Sequence, residues 1–79
     1  MPFLTLIMKP SVTEEAPDWC LFPTWEEGRD HLIGEINLLA GADEVQRAVA
    51  VSKLQSAPAG ANRSVYVGSF MFGIRREDE

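Results

Sequence analysis

Seventy-nine residues, 46% of them hydrophobic, carry twelve acidic and seven basic side chains, for a formal charge of −5. A chain this short forms one domain, 1–79, burying about 60% of the surface its unfolded form exposes, which leaves little room for a deep catalytic pocket with supporting residues behind it. The hydrophobic share excludes a wholly disordered tail, and a lone cysteine, Cys20, excludes an internal disulfide or a cysteine-rich zinc site.

Residues 3–8 (FLTLIM) read as a strand that is apolar on both faces. That pattern suits either a buried strand or one whose second face meets a partner. Residues 10–18 hold two prolines, three acids and no periodicity, and read as a loop. Residues 19–22 (WCLF) suggest a short second strand, with Cys20 as a small buried filler. Four of the five prolines fall within the first 23 residues. This places the N-terminal third at the periphery of a sheet, where proline is tolerated.

Thr24-Trp25-Glu26-Glu27 is a capping box, and two carboxylates in the first turn suit the positive end of a helix dipole. At helical spacing, Trp25, Leu32, Ile33, Ile36, Leu39 and Ala40 form one apolar stripe, with Gly41 as the expected stop. Asp43 reads as a second N-cap with Gln46 three residues on. Residues 44–56 favour a helix over a strand but offer two narrow stripes: Val45, Ala48, Val49 and Ser52, or Ala50, Val51 and Leu54. Residues 57–62 are a loop. Residues 63–76 alternate as strand, either a hairpin turning at Gly68-Ser69 or one long strand bent there. Residues 76–79 read as a solvated tail.

The expected fold is therefore α+β: an antiparallel sheet of three to four strands with two helices on one face, in the order β-(β)-α-α-β-β. Tyr66 and Met71, with Leu4, Leu6 and Met8, would then make the other sheet face apolar and open, a contact surface.

The charge is uneven. Residues 1–44 hold nine acids against Lys9 and Arg29; residues 45–76 hold five bases and no acid; the last three residues are acidic. Glu27, His31 and Glu35, near Asp30, share a helix face in a spacing that can ligate metal, but there is no second histidine or cysteine to complete a site. No metal or cofactor is expected. Nothing local orients Cys20 against His31 as a nucleophile and base, so no catalytic residue is assigned. Arg63, Arg75 and Arg76 form an alternative basic patch for nucleic acid. The acidic balance and the core-like pattern of Phe70, Phe72 and Ile74 argue against direct nucleic-acid binding.

The leading expectation is a non-enzymatic protein-binding module, an inhibitor or adaptor that occupies a surface of a larger protein or complex. Glu26, Glu27, Asp30, His31, Glu35, Leu38, Asp43 and Glu44 would engage a basic surface, with Trp19 as an anchor. In size, acidity and fold class the chain is similar to phage-encoded inhibitors such as the anti-CRISPR proteins, although no motif carries the likeness. A homo-oligomeric assembly subunit is the alternative. No run approaches a membrane span, and the reduced lone thiol fits a cytoplasmic protein.

Overall fold

Four antiparallel strands form one sheet, and two helices cover one of its faces in the order β1 (Phe3–Met8), β2 (Asp18–Phe22), α1 (Trp25–Asn37), α2 (Glu44–Gln55), β3 (Arg63–Val67) and β4 (Phe70–Arg76). The computed structural model describes residues 2–8, 18–39 and 41–77. The expected loop 10–17 and Ala40 of the expected stripe lie outside them, while Asp18 opens β2 rather than closing the loop. The strand order is β2-β1-β4-β3. The N-terminal strand is thus central, not peripheral. Pro2 precedes its first residue and so removes no ladder donor, and proline density said nothing about its place in the sheet.

The helices form for local reasons. Thr24 Oγ1 accepts the Glu27 backbone N–H at 3.2 Å, and Asp43 Oδ1 accepts those of Val45 and Gln46 at 2.7 and 3.3 Å, satisfying donors that a first helical turn leaves free. Gln46 serves a different end: its Oε1 accepts the Gly68 N–H at 2.7 Å, tying α2 to the hairpin turn. That turn is the Gly68-Ser69 hairpin. Only Gly68 of the pair has a positive φ (+60°), the pattern of a type II′ turn.

α1 ends at Asn37 rather than near Gly41, with Leu38 as its C-cap. The Leu39 carbonyl is taken by Arg47 Nη1 at 3.1 Å, and the chain reverses through Gly41 at φ +74°. At the other end of the chain, β4 runs to Arg76 and the Glu77 N–H donates to the Pro2 carbonyl at 3.0 Å. The expected tail is therefore tied down through Glu77; Asp78 and Glu79 lie outside the described residues.

The core lies between helices and sheet. Thr5, Ile7, Val65, Val67, Phe72 and Ile74 meet Trp25, Leu32, Ile36, Ala50 and Leu54, all buried. α1 crosses β1, β2 and β4; α2 lies on β3 and against α1. Of the two stripes on α2, the one carrying Ala50 and Leu54 is buried, leaving Val45 71% and Val49 47% exposed. Trp25 is closed off by its indole N–H donating to the Ala61 carbonyl at 2.9 Å. Gly28 lets α1 approach closely: a Cβ there would sit 2.8 Å from Ile74 Cδ1 and 3.2 Å from Thr5 Cγ2. Cys20 is exposed, not a core filler. It shares the helix-side parity of Thr5, its partner in β1, but β2 is an edge strand of the sheet.

Candidate functional site

Strand alternation sends every second side chain away from the helices. The pairing registers show which ones gather there. Leu4 lies between Leu21 of β2 and Arg75 of β4; Leu6 between Trp19 and Gly73; Met8 beside Met71, which is in turn beside Tyr66; Ser64 pairs with Gly73. The result is a sheet face made of Leu4, Leu6, Met8, Trp19, Leu21, Met71 and Tyr66, with Arg75 as its charge.

Among the described residues, no helix covers this face. Trp19 is 54% exposed, Leu21 61%, Tyr66 68% and Met8 45%. The molecule measures 34 × 30 × 15 Å, the thickness of one sheet and one helix layer. Those four side chains alone expose about 500 Å² of largely apolar surface, the size of the largest patch on a typical monomer and often functional there. Leu4, at 7% exposure, forms the floor, packed between its two cross-strand neighbours.

Near the middle of the face is a depression of about 350 Å³, walled by Leu4, Leu6, Trp19 and Met71 and bordered by Asn62, Arg63, Ser64 and Arg75. Gly73 makes it: its missing side chain would stand 3.4 Å from Met71 Sδ and 3.6 Å from Ser64 Oγ. Arg75 also reaches Glu77, with Nη2 3.9 Å from Oε2, a long and exposed pair.

The residues singled out from the sequence do not form one surface. Trp19 belongs to the sheet face. Glu26 and Glu27 are exposed in the first turn of α1, and Asp30 is paired with Arg29 (Nε–Oδ1 3.0 Å), whose guanidinium also lies 5.5 Å from the Trp25 ring centre. Glu35 is half-buried two turns from Glu27. Asp43 is committed to capping α2, next to exposed Glu44. His31 is half-buried with its ring 5.1 Å from that of Phe22, a packing contact. Leu38 is 78% exposed at the end of α1, on the helix layer. The acids therefore stretch along the helix layer, and the apolar anchors lie on the opposite side.

Among the described residues, no three His, Cys, Asp or Glu side chains converge as metal ligands do. The three arginines of the alternative patch also divide: Arg63 and Arg75 border the depression, while Arg76 pairs with Phe3 and its backbone N–H donates to Asn62 Oδ1 at 3.2 Å. No described helix is long and apolar enough to cross a membrane. Sequence reasoning missed Gly73 and Leu21. The one available signal was a glycine in the middle of an apolar strand, which often marks close approach by another group. Comparisons with known protein families, curated proteins and solved structures find no match for this chain.

Proposed function

We propose that this chain is a non-enzymatic protein-binding module that docks through its open sheet face onto a larger protein, in the role of an inhibitor or adaptor. The observation that supports it is the uncovered apolar face itself, with Trp19, Leu21, Tyr66 and Met8 exposed together on one side of a two-layer domain. Tryptophan and tyrosine are frequent anchors of binding energy. The patch supplies about 500 Å² from its four most exposed side chains, and a comparable partner surface brings the total to the roughly 1,000 Å² that a specific interface needs. The solvated acids of α1 then act during approach rather than as contact anchors.

A second reading, self-assembly, has its own observation. The outer stripe of α2, with Val45 and Val49 exposed, is another unpartnered apolar strip on the helix layer. Seating it on the sheet face of a second copy would make a head-to-tail contact that builds rings or filaments.

The test is an affinity measurement with a stoichiometric partner captured on the tagged protein and then purified. The double change Leu21→Asp and Tyr66→Asp is expected to weaken binding at least about a hundredfold. Neutralising Glu26, Glu27, Asp30 and Glu35 together is expected to change it only a few-fold, and only at low salt. The reverse ranking would overturn the proposal. A concentration-dependent rise in mass on sedimentation of the protein alone, abolished by Val45→Asp, would favour self-assembly.

A further inference from the structure

We infer that the depression over Gly73 is the specificity pocket of this docking face, taking one large apolar side chain from an acidic segment of the partner. The inference rests on the docking-face reading above.

Nothing in the backbone asks for glycine at 73. Positive φ values occur at Gly41, Gly60 and Gly68 but not there. A Cβ would make only ordinary contacts, none closer than 3.4 Å. Glycine inside a strand weakens it, and its open-face neighbours Met71 in β4 and Leu6 in β1 are large and apolar. What glycine provides is space between Leu6 and Ser64. At about 350 Å³ the depression is at the lower end of ligand-site volumes, which suits one aromatic or long aliphatic side chain rather than a larger molecule. Leu4, Leu6, Trp19 and Met71 supply apolar walls for it.

The border decides the charge of the occupant. Arg63 and Arg75 are the charged residues lining the depression, accompanied by Asn62 and Ser64. Arg63 pairs with Ile74 on the helix-side parity and has its backbone carbonyl 3.6 Å from where a Cβ of Gly73 would stand, so a carboxylate next to the inserted side chain would meet the Arg75 guanidinium, a fork suited to carboxylates. Six of the twelve acids, Glu26, Glu27, Asp30, Glu35, Asp43 and Glu44, stand on the helix layer, behind the sheet in a molecule 15 Å thick, while Glu77 lies beside Arg75. The screening length of about 8 Å at physiological ionic strength hides most of the field of the helix-layer acids from the pocket. A peptide fits these walls better than a nucleic acid does. Aliphatic side chains outnumber aromatic ones, and two arginines do not make the continuous basic stripe that tracks a phosphate backbone.

The probes are short acetylated peptides containing Trp-Glu, Trp-Gln or Ala-Glu, and an oligouridylate, each titrated into labelled protein while backbone amide shifts are followed. Trp-Glu is expected to move the amides of Leu6, Ser64 and Gly73, with Trp-Gln about tenfold weaker and Ala-Glu silent. Arg75→Gln is expected to erase the difference between the first two. Gly73→Val, which retains strand propensity and whose folding is verified by its amide spectrum, is expected to abolish the shifts.

Equal affinity for Trp-Glu and Trp-Gln in the wild type would overturn the inference, as would undiminished binding by Gly73→Val or no shift with any peptide at millimolar concentration. Oligouridylate moving the same amides at lower concentration than any peptide would overturn it in favour of nucleic acid. Self-association lost in Gly73→Val would overturn it in favour of a second copy. The docking-face reading fails separately, when Leu21→Asp with Tyr66→Asp leaves partner affinity unchanged.

Discussion

Glycine-to-alanine changes in a helix interior ordinarily stabilise a protein, and α1 offers two that should have opposite signs. Gly34 has no atom within 4 Å of where its Cβ would stand. Alanine there gains helix propensity of about 1 kcal/mol, mostly by restricting the unfolded chain. A Cβ at Gly28 would stand 2.8 Å from Ile74 Cδ1 and 3.2 Å from Thr5 Cγ2. Ile74 is 2% exposed and Thr5 1%, so neither has free space into which to withdraw, and Thr5 is branched at Cβ. Overpacking of this kind costs about 1–3 kcal/mol, which offsets the propensity gain and exceeds it over most of that range. The two variants should therefore differ by about 1–3 kcal/mol. In a domain this small each kcal/mol moves Tm by about 4–8 °C. Thermal and urea unfolding should place Gly34→Ala above the wild type and Gly28→Ala at or below it. Equal stabilisation by both would refute the close seating of α1 on β1 and β4, and with it the reason this face of the sheet is the closed one.

Other measurements test neighbouring parts of the structure. Leu54→Ala, at a fully buried position, should cost about 2–5 kcal/mol in urea unfolding, while Val45→Ser on the outer stripe stays within about 0.5 kcal/mol. Gln46→Ala should cost about 1 kcal/mol by releasing the Gly68 N–H, and the loss should vanish in a variant whose hairpin turn is already disrupted. The two tryptophans should separate by iodide quenching of fluorescence. Trp25, 3% exposed and hydrogen-bonded, should be protected, and Trp19, 54% exposed, should be quenched, so that Trp19→Phe leaves a quench-resistant emission.

Much of the fold was legible because its determinants are local. The Thr24 and Asp43 caps and the strand Phe3–Met8 each act within a few residues and formed where the pattern placed them, and the Gly68-Ser69 turn is one of the two readings the 63–76 pattern allowed. What was not legible depends on partners distant in sequence. β1 is central because it pairs with β4, from Phe3 with Arg76 to Met8 with Met71, a fact its flanking prolines do not encode. Either stripe of α2 satisfies helical periodicity, and only β3 and α1 decide that Ala50 and Leu54 turn inward. Cys20 has the parity of a core residue but occupies an edge strand.

The candidate site divides along the same line. An open apolar face could be read from strands that are apolar on both sides, because two short helices can cover only one. Its membership could not, since register decides that Trp19 and Leu21 stand beside Leu6 and Leu4. The acids were evident as residues, but their dispersal along the helix layer, away from Trp19, follows from packing. Gly73 had only its residue type to announce it.

On the docking reading, the helix-free side of the sheet is the side that meets the partner. Hydroxyl-radical footprinting reads this directly, because Met8, Trp19, Tyr66 and Met71 are oxidisable side chains that all stand on that face. Comparing the free protein with its purified complex should show these four protected on binding, with His31 and Leu38 of the helix layer modified at unchanged rates. Protection of His31 and Leu38, with Trp19 and Tyr66 still freely oxidised in the complex, would contradict it.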